Sequence, residues 1–410
     1  MKIDDAETVI VGAGQAGLAL SYHLGQRGRE HLLLERDRIG ERWRSQRWDS
    51  LCFQFPNWML RLPGFAYDGD FPDGFASRNE VVAFLEDYAA FIEAPVRSGV
   101  CVEQVRAGVG SGRFVVETDR GQIRAANVVI STGPYQIPNI RSVLVAAVGE
   151  VFQLHSSQYR NSEALPPGAV LVVGSGASGC QIAEDLVGAG RRVWLACGEH
   201  RPVPRRYRGQ DFGFWQYVTG EFDRTVENSP VDRATPLLTG VNGGRDLNLR
   251  DLAHRGVTLL GRMLGGAGGV LDLATDLPSI LARADARFDE FVQCADDHVA
   301  RQGLDFPPDT VRRSGRLQPS PDSPTSLNLR EAGVSAVIWA TGYGHDFGWV
   351  QLPVFADAAH RSPKHRRGVS DVPGLYFLGL PWLWKRQSTL LAGVGEDAEH
   401  LARHICDNST

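Results

Sequence analysis

Val9-Ile10-Val11-Gly12-Ala13-Gly14-Gln15-Ala16-Gly17 decides the fold: a short apolar strand runs into a G-x-G-x-x-G turn. A helical stretch with Leu18, Leu20, Tyr22 and Leu24 follows, and His31 to Leu34 form a second strand ending at Glu35. Strand, glycine turn, helix and strand make a βαβ unit. The pattern returns at Val170-Leu171-Val172-Val173-Gly174-Ser175-Gly176-Ala177-Ser178-Gly179. Ile182, Ala183, Leu186 and Val187 follow at helical spacing, and Arg192 to Ala196 form the next strand. One such match is weak evidence, but a strand before it, a helix after it and an acid closing the next strand make a dinucleotide site. Glycines let backbone approach a pyrophosphate at the positive end of a helix, and Glu35 can accept from both ribose hydroxyls. The second copy ends in Cys197-Gly198, without that acid. With Arg201, Arg205 and Arg206 close behind, this favours a 2′-phosphate, hence NADPH, with NADH as the second candidate. Two sites with the acid at the first suggest FAD first and a nicotinamide cofactor second, the cofactors carrying the redox chemistry.

Further along, Asn127-Val128-Val129-Ile130-Ser131-Thr132-Gly133 and Ala336-Val337-Ile338-Trp339-Ala340-Thr341-Gly342-Tyr343 are apolar runs closing on Thr-Gly. Such a glycine marks a sharp turn against a ligand or another backbone. Leu277 to Gln302 is amphipathic at helical spacing, and Ser388 to Ile405 carries apolar residues at 390, 391, 394, 398, 401, 402 and 405. Arg312 to Pro324 reads as a loop. The expected architecture is α/β, with two Rossmann-like dinucleotide-binding domains. A discontinuous FAD domain (1–165 and 331–410) carries an inserted NAD(P)H domain (166–330), and the Ala340-Thr341-Gly342-Tyr343 strand and last helix return to the first domain.

The 410 residues suit two domains. A net charge of -5 argues against a nucleic-acid partner. The six cysteines show no C-x-x-C or other metal-ligand spacing, so no metal is expected and disulfide reductases are disfavoured. Their scatter suits a reducing cytosol. The beginning of the chain lacks the pattern of a signal peptide. No run approaches the roughly 20 apolar residues of a spanning helix, so the cytoplasm is the expected location.

Taken together, these motifs resemble the flavin-containing monooxygenase superfamily, with its bacterial CzcO-like and plant YUCCA-type members, over nearly the whole chain. Its landmarks follow in order: the first glycine motif with Glu35; Gly40-Glu41-Arg42-Trp43-Arg44; Trp48-Asp49-Ser50-Leu51; the second glycine motif; Ala340-Thr341-Gly342-Tyr343; Val372 to Leu380; and Gly393 to Ala398. In the linker, the family's His and Tyr are His155 and Tyr159, while its Phe and Gly are replaced by Gly149 and Val151. The resemblance implies that Gly12, Gly14, Gln15, Ala16, Gly17, Glu35 and Arg36 bind the ADP half of FAD. Trp43 and Arg44 lie near its pyrophosphate and flavin, with Gly133, Thr341, Gly342 and Gly379 lining the cofactors. Gly174, Ser175, Gly176, Ser178 and Gly179 hold the nicotinamide dinucleotide, with Arg205 and Arg206 at its phosphate. The helix after Ser388 points its N-terminus at the flavin pyrimidine.

The implied reaction is NADPH reduction of the flavin, formation of a C4a-hydroperoxide with O2, and oxygenation of a small hydrophobic or aromatic substrate. Gln54 stands where many relatives place an Asn, with Asn57 three residues on, and these two are the catalytic candidates. Trp48, Phe53, Phe55, Trp58, Phe212, Phe214, Trp215, Trp382 and Trp384 are candidate pocket residues. The alternatives are a reductase or oxidase without oxygen insertion, and a flavin-binding sensor that does not turn over. A substrate and O2 are the expected partners, with no membrane segment and a homo-oligomer left open.

Overall fold

Five-residue runs such as Ala169–Val173 are apolar at every position, and a strand of that kind is stable only where both faces are covered. A computed structural model describes residues 3–108, 113–228, 235–309, 324–356 and 362–408 and places such strands at the centre of two sheets. In the first sheet, Val96–Ser98, His31–Glu35, Ile3–Val11, Gly121–Ile130 and Leu375–Phe377 pair in parallel. On the edge away from Ile3–Val11, the long strand Gly121–Ile130 serves two partners. Its first half joins an antiparallel arm, Phe114–Thr118 and then Val102–Ala107, and its second half takes Leu375–Phe377. Helix Gln15–Gly25 lies on this sheet and packs on the C-terminal helix Val394–Asp407. Val394, Ala398, Leu401, Ala402 and Ile405 recur every three or four residues and are all buried, the stripe a docked surface helix requires.

The second sheet has five parallel strands in the order Phe152–His155, Val334–Trp339, Ala169–Val173, Val193–Ala196, Val257–Leu260. This corrects the expected return of the chain to the first domain. Val334–Trp339 lies in the second sheet, and so does Phe152–His155. Each βαβ unit needs a parallel neighbour on the far side of its first strand. Gly121–Ile130 supplies it in the first sheet, and Val334–Trp339 is its counterpart in the second. The crossing comes later, where Tyr343–Gly344 pairs antiparallel with Ile137–Pro138.

The helix Leu277–Gln302 forms with the expected bounds and stops at Gly303 in the left-handed region, φ +62°, the usual way to end a helix. The glycine-rich stretch before it makes the hairpin Met263–Ala267 and Val270–Leu273. Gly268 and Gly269 turn it at φ +58° and +81°, as a tight hairpin requires. Two expectations differ or fall away. The C-terminal helix starts at Val394, not near Ser388, because the Ser388 hydroxyl accepts from the backbone N–H groups of Trp384 and Lys385 and closes a turn there. The loop at Arg312 to Pro324 lies outside the described residues up to 323. Among the described residues, no helix is long and apolar enough to cross a membrane.

Candidate active site: two open glycine turns

The two glycine turns are built alike. Gly12 sits at φ +105° and Gly174 at φ +108°, where only glycine rests without strain. A Cβ on Gly12 would stand 2.8 Å from the Ser131 carbonyl oxygen, and one on Gly174 would stand 2.5 Å from that of Ala340. Cβ atoms on Gly17 and Gly179 would overlap the carbonyls of Gly12 and Gly174. The middle glycines are different: nothing lies within 4 Å of a Cβ on Gly14 or Gly176. The outer glycines therefore lock strand, helix and neighbouring strand together, and the middle one faces free space.

The first helical hydrogen bonds run from Leu18 to Gly14 and from Cys180 to Gly176. The N–H groups of Gln15, Ala16 and Gly17, and of Ala177, Ser178 and Gly179, precede them and have no helical acceptor. Free donors at the positive end of a helix, beside a gap where no Cβ intrudes, fit a pyrophosphate. Ser178 is half-buried on the first turn of its helix. Gln15 also donates from Nε2 to the Thr389 carbonyl at 2.5 Å, fixing the segment before the C-terminal helix against the first turn. Gly379, at φ +75°, allows the close approach of Ala16, whose Cβ would be 2.7 Å from an added one.

The strand ends differ. The Glu35 carboxylate accepts from the N–H of Ala13 at 2.9 Å and of Asp37 at 3.1 Å. At the second turn, the Ser175 hydroxyl donates to the Gly198 carbonyl at 3.0 Å and accepts from its N–H at 2.9 Å. Ser175 so performs from the turn the bracing that Glu35 performs from the strand. Cys197, which takes Glu35's place in register, is buried, and burial pushes its thiol up to about 12.

Gly133 and Gly342 end the two neighbouring strands at φ +73° and +79°, each with nothing within 4 Å of a Cβ. Thr341 Oγ1 donates to the Asn139 carbonyl at 2.6 Å. His155 Nε2 lies 3.1 Å from the Gly342 carbonyl, and burial lowers its pKa. Tyr159, also buried, donates to Asp185 at 2.6 Å. The two linker residues therefore tie the segment between the sheets to the second domain.

Several expected site residues sit elsewhere. Arg44 pairs with Glu86. Arg42, two residues earlier, is half-buried. It donates to the Tyr135 carbonyl and to Gln46, and feels Arg36, Arg47 and Glu35. Burial lowers its pKa, yet a guanidinium stays charged. Sequence reading passed over Arg42, although it stands in the same short motif. Arg36 is exposed and donates to Asp37 at 3.1 Å. Trp43 is half-buried, edge-on to Phe53 at 6.4 Å, with Arg47 5.8 Å above its ring.

Arg205 is not a surface phosphate reader: its side chain is 1% exposed. It makes a two-pronged pair with Asp211 at 2.7 and 2.8 Å, donates to the Gln54 carbonyl at 2.6 Å and lies over Phe75 at 4.8 Å. It clamps the second domain to the 52–57 segment. Arg206 donates to the carbonyls of Gly243 and Gly244. It lines a cavity of about 470 Å³ with Glu184, Arg245 and Arg255 that contains neither glycine turn.

Gln54 is half-buried, with Nε2 3.4 Å from the Leu238 carbonyl. Asn57 is buried and committed at both ends of its amide. Nδ2 donates to Phe71 at 3.0 Å and Oδ1 accepts from Ala76 at 2.7 Å, so it braces the 71–76 loop. The aromatic candidates divide. Phe53, Phe55, Phe222, Tyr217 and Trp58 form a chain with centroids 4.8–6.1 Å apart. Trp48, Phe212 and Trp215 are core, and Phe214 packs edge-on to Trp215 at 5.4 Å. Trp384 is held by Arg367 at 3.4 Å and Lys385 at 4.7 Å. Trp382 is half-buried at φ +54°, a strained conformation for a bulky residue. All six cysteines are unpaired, and among the described residues no group of His, Cys, Asp or Glu could hold a metal.

Comparison with known proteins agrees with this geometry. Residues 9–207 match the model of the pyridine nucleotide-disulphide oxidoreductase family. The chain is 32% identical to a CzcO-like oxidoreductase of Geobacillus kaustophilus, covering 98% of this chain and 99% of the relative. It is 26% identical to the indole-3-pyruvate monooxygenase YUCCA4 of Oryza sativa over 98% of this chain and 88% of that one. A flavin-containing monooxygenase from Stenotrophomonas maltophilia superposes with a TM-score of 0.70 at 18% identity, covering 99% and 100% of the two chains, and shares the fold. With two glycine turns of matched geometry and a relative aligned from end to end, the chain belongs to the flavin-containing monooxygenase superfamily, alongside its CzcO-like oxidoreductases.

Proposed function

We propose that this enzyme is an FAD-dependent monooxygenase that uses NADPH and O2 to oxygenate a small hydrophobic or aromatic substrate. The observation that carries the reading is the pair of turns, each closed at its outer glycines and open at its middle one, with an acid on the strand end at the first alone. Residues Gly12 to Gly17, with Glu35, hold FAD in this reading, and Gly174 to Gly179 hold the nicotinamide dinucleotide. When bound, FAD supplies acceptance of hydride from the nicotinamide and delivery of electrons to O2. The chain's own part is to orient both cofactors and to keep water out. The row from Phe53 to Trp58, roofed by Tyr217 and Phe222, gives an apolar wall for the substrate. Gln54, flanked by Phe53 and Phe55, is the amide that reaches the reacting oxygen in this reading. Unpaired cysteines fit a reducing cytoplasm.

The reading without oxygen insertion draws on one observation: Asn57 is spent on the loop, which leaves Gln54 as the one amide of the pair. Both readings are separated by measuring NADPH consumed, peroxide released and label incorporated from 18O2 across a panel of sulfides, amines, ketones and indolic compounds. Peroxide falling below NADPH, with one labelled oxygen in the product, supports the monooxygenase. Peroxide equal to NADPH across the whole panel replaces it with an oxidase.

A further inference from the structure

In a Rossmann unit the end of the second strand reads the adenosine ribose: an acid there binds free hydroxyls, and an arginine accommodates a 2′-phosphate. At the second turn Val173 pairs with Ala196. The next side chain, Cys197, is buried, and Gly198 has none. Glu199 is therefore the first side chain that reaches outward, and it is 62% exposed. Its two oxygens each meet one arginine of the helix Leu277–Gln302: Arg283 Nε at 3.5 Å and Arg287 at 3.6 Å. Arg287 also donates to the His200 carbonyl at 3.4 Å, which seats it over the strand end. Residues four apart share a helix face, so both guanidinium groups are presented to the same point. The neighbouring Arg250–Asp285 pair, at 2.6 and 2.7 Å, is balanced within itself and leaves this point alone.

Two arginines facing one carboxylate leave a net positive charge where a 2′-phosphate would arrive. The contacts are longer than the roughly 2.7–2.9 Å of a charge-assisted hydrogen bond. They lie in solvent, where such pairs contribute little. A phosphate monoester brings about -1.5 to -2 of charge and three acceptor oxygens, a better match for two guanidinium forks than one carboxylate. We infer that Arg283 and Arg287 form the site for the 2′-phosphate of NADPH, with Glu199 as the partner that the phosphate displaces. The inference rests on the nicotinamide dinucleotide binding at the second turn. It moves the discriminating charge from Arg205, which is buried, and Arg206, which is bonded to the Gly243 and Gly244 carbonyls, to a helix about eighty residues later in the chain.

The test uses the full-length FAD-loaded protein, titrated calorimetrically with NADP⁺ and with NAD⁺. Bound FAD, read from its absorbance, shows that each variant is folded. Arg283→Ala combined with Arg287→Ala should weaken NADP⁺ by on the order of tenfold or more and leave NAD⁺ within about twofold. Glu199→Gln should tighten NADP⁺ several-fold, since the competing charge is gone. Equal losses for both dinucleotides, or no loss for NADP⁺, overturn the assignment. So does a wild-type preference for NAD⁺ that Glu199→Gln abolishes, which would give the carboxylate to the ribose hydroxyls. Failure of the wild-type protein to bind either dinucleotide removes the functional reading itself, and this inference with it.

Discussion

The two glycine turns solve one packing problem with different parts. At the first, the brace is a charged side chain on the strand, Glu35, which accepts from Ala13 in the turn. At the second, the brace is Ser175 in the turn, bonded to Gly198 on the strand. In the proposed reading the carboxylate that braces the turn also meets the ribose of FAD, so the first site couples structure to recognition. Moving the brace into the turn frees the strand end at the second site, where in the proposed reading Arg283 and Arg287 take over recognition. The difference teaches that the glycine spacing fixes only the fold of such a site, and the residues at the strand end decide its ligand.

The largest effect expected from breaking this comparison is at the outer glycines. Gly179→Ala forces a Cβ into the Gly174 carbonyl and should cost upwards of about 3 kcal/mol, read by chemical denaturation, because neighbouring backbone must move. Gly176→Ala meets no atom within 4 Å. Its melting temperature should stay put while NADP⁺ binding weakens by on the order of tenfold, the methyl occupying room for the pyrophosphate. If both substitutions act on stability alone, the open glycine is not a cradle. Next comes Glu35→Gln. Losing a charged acceptor costs about 1.5–3 kcal/mol, and it should appear as FAD released on dilution, whereas Ser175→Ala should lower stability by about 1 kcal/mol with FAD retained.

A second pair sharpens the site. Asn57→Ala leaves the Ala76 N–H buried without an acceptor and should cost about 1–3 kcal/mol of stability. Gln54→Ala should leave stability nearly unchanged and raise the peroxide released per NADPH. The opposite assignment of these two effects would make Asn57 the working amide. The smallest effect concerns His155. Burial holds its folded pKa below the unfolded value of roughly 6.5. The neutral ring is the one the fold accepts, so its contribution is full above the unfolded pKa and falls as pH drops from there towards the folded pKa. The difference in melting temperature between the wild type and His155→Gln should shrink over that interval and change little above it.

Much of the architecture was legible because backbone chemistry writes itself into sequence. Gly12, Gly17, Gly174 and Gly179 admit no other residue, and Leu277–Gln302 shows its stripe and its glycine stop. What stayed hidden depended on partners distant in the chain. The run at Val334–Trp339 is apolar enough for either sheet, and only the carbonyl of Ala340 against Gly174 says which one claims it. Arg205 reads as a surface cation until Asp211 and the Gln54 carbonyl are seen to enclose it. Asn57 looks like a free amide until the 71–76 loop closes on it. Arg283 and Arg287 stand on a helix whose sequence gives no sign of which strand end it overhangs.

The crossing between the sheets carries a consequence for how such a molecule can be rebuilt. Tyr343 faces Pro138 and Gly344 faces Ile137, so the outgoing and returning chains stand one ladder spacing apart, about 5 Å. Everything between them forms a cassette with adjoining ends. A link of a few residues would span that gap and keep the register of the first sheet, but excision would strip Phe53, Phe55 and Met59 of core partners such as Phe212, Trp215 and Phe222, which leave with the insert.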